Sequence, residues 1–147
     1  MPDVRDSPVV RELFDRTADA QRSWVRGDAS RYEALFSREQ LTIFGPFGGP
    51  ALRGRTPGAA QQVSGLFSNG IAELELIDAI VGDDIVCLVM VERCEVDFAG
   101  IDGRHRWDLR TTQVYRRTAD DWHVVHRHAE PLLQARDLAA TLALIDE

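Results

Sequence analysis

Four groups of residues have types and spacings that could do chemistry. In His126-Arg127-His128 two imidazoles would project from one face of a strand, as metal ligands do. Asp108 and Arg110 place an acid and a guanidinium two residues apart. Glu92-Arg93, followed by Glu95, interrupts the apolar run Ile85 to Phe98. A charged side chain deep in such a strand needs a partner, because an unpaired buried charge is costly. Cys87 and Cys94 lie seven residues apart in the same run. On one extended strand they would stand ~23 Å apart, too far for a disulfide. They read as buried thiols of a reducing compartment. No lysine occurs, so Schiff-base chemistry through lysine is excluded.

The elements that must position these groups belong to a chain of 147 residues, which suits a single domain spanning 1–147. The net charge of −7 argues against nucleic acid as a partner, since phosphates need a positive field. Met1 to Val10 has no apolar signal-like core, and no run approaches ~18 apolar residues. The expectation is a cytoplasmic protein without a membrane span.

Ser7-Pro8 opens a helix whose stripe runs Val10, Leu13, Phe14, Thr17, Gln21 and Trp24, stopping at Gly27-Asp28. Asp28 caps a second helix with Tyr32, Leu35 and Phe36 on its apolar face. Gln40 to Phe44 reads as a short strand leading into the Gly/Pro-rich loop 45–50. Thr56-Pro57 starts a third helix running through Val63, Leu66 and Phe67 to Asn69-Gly70. Strands follow over Ile71 to Val81 and Ile85 to Phe98, then two more between Arg104 and Leu132. Leu132 to Ile145 reads as a closing helix. Helices first and an antiparallel meander second give an α+β layout with helices on one face of a curved sheet.

The last hairpin has two faces. With Arg116 opposite Trp122, one face carries Leu109, Thr111, Gln113 and Tyr115 opposite Ala129, Arg127, Val125 and His123. This mixed aliphatic, aromatic and polar face suits a pocket lining. The other carries Asp108, Arg110, Thr112 and Val114 opposite Glu130, His128, His126 and Val124. It is too polar for a dry core.

The order of these elements, with their local words, resembles the NTF2-like superfamily. Within it the likeness is to the SnoaL-like proteins and to the association domain of calcium/calmodulin-dependent protein kinase II. The words are Arg26-Gly27-Asp28 to Tyr32, Leu41 to Pro46, Val81 to Asp84, Val114-Tyr115-Arg116-Arg117 to Trp122, and Val125 to His128. The resemblance implies a cone, in which a strongly bent sheet wraps the long first helix and leaves a pocket. It also implies a homodimer formed through the outer face of the sheet. It places Gln21, Trp24, Tyr32, Phe44, Phe47, Thr111, Gln113, Tyr115 and Arg127 toward a ligand pocket. Either Glu92 or Arg93 joins them: the ketosteroid isomerase-like members favour Arg93 and the kinase domain favours Glu92. Arg110, Thr112, Val114, Trp122, Val124, His126 and His128 fall to the dimer interface. The kinase domain carries the same Val-His-x-His word without metal, so no metal or other cofactor is expected.

In the steroid isomerases a catalytic acid precedes a Pro-Phe-Gly word. Here that slot is Gly45, the oxyanion-donating tyrosine corresponds to Ala20, and the second donor falls near Gln113. Proton abstraction by that route is therefore not expected. Three functions stay open. One is a small-molecule pocket, with a small organic or carboxylate ligand meeting Arg127. Another is an oligomerisation module without catalysis. The third is an isomerase, cyclase or hydrolase using Arg93 or Arg127 with Glu92 or Asp108.

Overall fold

The computed structural model describes residues 1–119 and 121–147. Asp120, in the turn expected at the tip of the last hairpin, lies outside the described residues. A single helical turn at Val4–Asp6 precedes α1 (Pro8–Trp24), which buries Val10, Leu13, Phe14, Thr17, Ala18, Ala20 and Gln21. That is the face expected from the periodicity. α2 (Ser30–Leu35) follows, with the Asp28 carboxylate accepting from the Ser30 N–H. Then come β1 (Thr42–Phe44), β2 (Leu52–Arg53), α3 (Ala59–Ser64), β3 (Phe67–Val81), β4 (Ile85–Phe98), β5 (Arg104–Arg106), β6 (Leu109–Thr118), β7 (Asp121–Pro131) and α4 (Leu138–Ile145).

The strands form one sheet in the order β2-β1-β7-β6-β4-β3, with β5 paired to β4 beyond the start of β6. Meander neighbours are antiparallel, and β1 adds parallel to β7. Register shifts at Ser68/Ile71 and Leu76/Asp78 put two irregularities in β3. Such bulges increase bend and twist, and the sheet curls around α1 without closing. The core between them contains Leu13, Phe14, Tyr32, Leu76, Val86, Leu88, Met90 and Tyr115.

Two glycines fix how α1 meets the sheet. The Gly70 N–H donates to the Val25 carbonyl at 3.0 Å, and a Cβ at Gly70 would stand 2.2 Å from that oxygen. Gly27 turns the chain with φ +92°, a conformation that favours glycine.

Three expected boundaries change. The third helix is a short segment, and β3 begins at Phe67 rather than Ile71. Phe67 is buried against Val25, Cys94 and Val96, so the sheet claims it before the helix can. The expected closing helix starts at Leu138, capped by Asp137, whose carboxylate accepts from the Ala140 N–H at 2.8 Å. β5 is a separate short strand. Trp107, which follows it, packs on Phe67 and Phe98.

The last hairpin is tighter than expected and irregular. Gln113 stands opposite Arg127, Thr112 opposite His128 and Val114 opposite His126. A bulge then follows, so that Tyr115 faces Val124 with Val125 as the extra residue. The slip of one pair keeps both faces for residues 109–114, but the bulge inverts the start of β7.

Candidate functional site

The interior of the cone is built by alternate residues of β4, β6 and β7 against α1 and α2. On β4 the buried parity is Val86, Leu88, Met90, Glu92, Cys94 and Val96. This resolves the open choice: Glu92 points inward and is fully buried. Arg93 does not belong to the pocket set. It is exposed and paired with Glu75 at 2.8 Å. The inner parity carries the residues that pack on α1, and Arg93 shares the opposite parity with Cys87, Val89 and Val91.

Glu92 meets Arg127 in a two-pronged ion pair. Arg127 Nη1 donates to Glu92 Oε2 at 2.8 Å and Nη2 donates to Oε1 at 2.9 Å. Nη1 also donates to Gln113 Oε1 at 3.0 Å. That contact fixes the amide, so Gln113 Nε2 points the other way. It donates to Thr17 Oγ1 at 3.3 Å and to the Tyr115 hydroxyl at 3.2 Å. Thr17 spends its single proton on the Leu13 carbonyl at 2.8 Å. The Tyr115 hydroxyl therefore donates to Thr17 across 2.7 Å. One network thus ties α1, β4, β6 and β7 together inside the cone.

Around it stand Gln21, whose amide donates to Cys94 Sγ at 3.6 Å, and Tyr32, whose ring lies 5.3 Å below the Arg127 guanidinium. Trp24 meets Tyr32 edge-on at 5.5 Å. The Tyr32 hydroxyl is buried and has no hydrogen-bond partner; among the described residues it is the one buried side-chain polar atom so left. The Glu92 side chain has no solvent exposure and that of Arg127 retains 11%.

These surroundings shift the titrating groups. Burial pushes the Tyr115 hydroxyl up to about 12, partly offset by its bonds to Thr17 and Gln113. Burial likewise pushes the Cys94 thiol up to about 11 and the Tyr32 hydroxyl well above its usual value. Burial alone would lower the Arg127 guanidinium, but the adjacent Glu92 carboxylate, together with the nearby Tyr32 and Tyr115 hydroxyls, holds it above its usual value.

The structure thus brings together Gln21, Tyr32, Gln113, Tyr115 and Arg127, with Thr111 buried nearby and Trp24 half-buried at the edge. Phe44 does not join them. β1 pairs with β7 so that Phe44 stands beside His128, and its exposed ring packs 6.0 Å from His126 and 5.3 Å from His128 on the outer face. Phe47 is exposed and reaches Trp107 at 5.8 Å.

Two residues expected at an outer interface are also corrected. Val124 is fully buried in the core, where the chain leaving α2 bridges to it at Phe36. Trp122 shares that parity and packs against the same core, under the Arg117 guanidinium at 5.6 Å. The bulge at Val125 is the cause. Arg110, Thr112, Val114, His126 and His128 do share the outer face. There His126 Nδ1 is bonded to the Thr42 hydroxyl at 2.7 Å, and Arg110 is paired with Glu130 at 2.5 Å. Asp108 is tied to Arg106 and accepts from the Cys94 N–H at 3.3 Å, so it does not act with Arg110. Among the described residues no three His, Cys, Asp or Glu side chains converge as metal ligands would.

Sequence reasoning left Thr17 and Cys94 outside the site. The signal for Thr17 was its place beside Gln21 on an otherwise apolar helical stripe. Cys94 shares the parity of Glu92.

A model of the SnoaL-like domain matches residues 10–133, nearly the whole described fold. The chain belongs to the SnoaL-like family. Solved structures share its curled-sheet cone. An NTF2-like superfamily protein from Salmonella enterica serovar Typhimurium has 16% identity and a TM-score of 0.68, over 86% of this chain and 92% of that one. A cystatin-like domain of unknown function from Nostoc punctiforme has 19% identity and a TM-score of 0.64, over 99% and 86%. The hub homology domain of a calcium/calmodulin-dependent kinase II from Chlamydomonas reinhardtii has 15% identity and a TM-score of 0.65, over 85% and 99%. At these identities the likeness is one of fold. No curated protein matches the chain. In this SnoaL-like domain no helix among the described residues is long and apolar enough to cross a membrane.

Proposed function

We propose that this SnoaL-like domain binds a small polar organic molecule, a carboxylate or carbonyl compound, at the Arg127–Tyr32 side of the cone interior. The supporting observation is the Tyr32 hydroxyl, buried without a partner on the ring that stacks 5.3 Å from the Arg127 guanidinium. A buried hydroxyl without a partner is unfavourable by ~1–3 kcal/mol and calls for an explanation. A ligand oxygen accepting from Tyr32 and facing Arg127 supplies one. The Glu92 carboxylate occupies both prongs of Arg127. A ligand acid would therefore approach the remaining edge of the guanidinium or displace Glu92.

The same arrangement weighs against an isomerase, cyclase or hydrolase with Glu92 as the working base, because both its oxygens are already engaged. The test is thermal unfolding of the wild-type domain and Tyr32→Phe in the presence of small carboxylates and polyketide-like aromatics. Stabilisation of the wild type that vanishes in Tyr32→Phe supports the reading. Compounds that stabilise both proteins equally contradict it.

A second reading, self-association as a homodimer, is favoured by a separate observation. The outer face holds a groove of about 250 Å³ lined by the apolar Ile77, Val89 and Val91 and flanked by Arg110, His128 and Glu130. Sedimentation at micromolar concentration tests it, and a monomer would contradict it.

A further inference from the structure

α4 is an apolar helix without a surface to cover. Its sequence, Leu-Ala-Ala-Thr-Leu-Ala-Leu-Ile, holds no charged residue and buries none of its side chains. Leu138 is 74% exposed and Ile145 72%, with Leu142 and Leu144 also exposed. Such a helix left in water is unfavourable, and an exposed apolar element of this kind marks an interaction surface. We propose that α4 of one molecule seats in the outer-face groove of a second copy, as an exchanged C-terminal arm. This rests on the self-association reading and names the segment that makes the contact.

Two observations point to a second copy. The linker 132–137, Leu-Leu-Gln-Ala-Arg-Asp, contains no glycine, proline or asparagine, and no residue in it has a positive φ. All six residues are exposed, and a stretch of six residues can carry α4 up to ~20 Å from the end of β7. The groove offers what the helix lacks: Ile77, Val89 and Val91 give an apolar floor of matching character. An eight-residue helix laid in a groove buries on the order of 400 Å² on each side, so two reciprocal contacts approach the ~1,600 Å² of a stable interface.

The test uses the full chain. Leu138→Glu with Leu142→Glu is compared with wild type by sedimentation equilibrium, with circular dichroism reporting the fold. α4 has no buried side chain, so the body should fold unchanged. A rise in the dimer dissociation constant of roughly 30-fold or more is expected. A dimer equally tight in the variant overturns the α4 contact and leaves self-association standing. A wild-type monomer overturns both. In a second experiment, isotope-labelled Ile77→Cys protein is mixed with unlabelled Leu142→Cys protein and oxidised. A cross-link between labelled and unlabelled chains at these positions is expected. Its absence, in a mixture that sediments as a dimer, refutes the exchange.

Discussion

Removing either member of the Glu92–Arg127 pair should be far more damaging than removing both. Glu92 has no exposure and each of its oxygens takes a guanidinium N–H, at 2.8 and 2.9 Å. Arg127→Met leaves that carboxylate buried and unpaired, and frees Gln113 Oε1 as well. Breaking a buried pair from one side costs ~3–5 kcal/mol. Against a total stability of ~5–15 kcal/mol this is a large share. For a chain of this length it lowers Tm by between about 6 and 20 °C. Glu92→Leu should fall in the same range, leaving Arg127 only its bond to Gln113 and its stacking on Tyr32. The double variant restores an apolar interior of similar volume and should recover most of the loss, because such replacements are often neutral. The assay is a double-mutant cycle by urea unfolding, with the coupling read as the departure from additivity. Additive single losses would refute the reasoning, since they would mean that the two charges do not depend on one another.

Tyr32→Phe should raise stability by ~1 kcal/mol in the absence of ligand, because it deletes an unpartnered buried hydroxyl; a loss in urea unfolding would show that the hydroxyl is satisfied in solution. Gly70→Ala should destabilise by ~1–3 kcal/mol, because its methyl would stand 2.2 Å from the Val25 carbonyl; an unchanged denaturation midpoint would show that α1 and β3 can separate without loss. Alkaline pH should unfold the protein. Cys94 rises from 9.0 to about 11 and Tyr115 from 10.0 to about 12, so the unfolded chain loses these protons first. Their stabilisation is complete below pH 9 and is lost progressively up to about pH 12, each group contributing on the order of 2–3 kcal/mol. Urea unfolding from pH 8 to 11 should show falling midpoints, less steeply in Tyr115→Phe; a flat profile would contradict the burial of both groups.

Much of the architecture was legible in local pattern. The stripe from Val10 to Trp24 fixed which face of α1 is buried, since helical periodicity needs only spacing and polarity. The α+β order and the added early strand followed from the sequence of elements, and the cone from the family resemblance that their local words carry. Thr111, Gln113, Tyr115 and Arg127 were placed on one face by the two-residue period of strands. That period survives a slip of one pair.

What the sequence by itself could not decide was absolute phase. Glu92 and Arg93 are adjacent charges in one apolar run, and either could face inward. Only packing on α1 selected the parity of Val86, Leu88 and Met90 for the interior and carried Glu92 with it. The bulge at Val125 inserts one residue without a local mark, so Trp122 and Val124 moved to the core while His126 and His128 stayed outside. Phe44 left the expected pocket because β1 joined β7 in a parallel register that the short word Thr-Ile-Phe does not encode. The partner of Arg127 is 35 residues away in the chain, and no local pattern specifies a contact at that distance. Tertiary structure decided it, because a buried guanidinium requires a counter-charge and the curvature of the sheet brings Glu92 within reach.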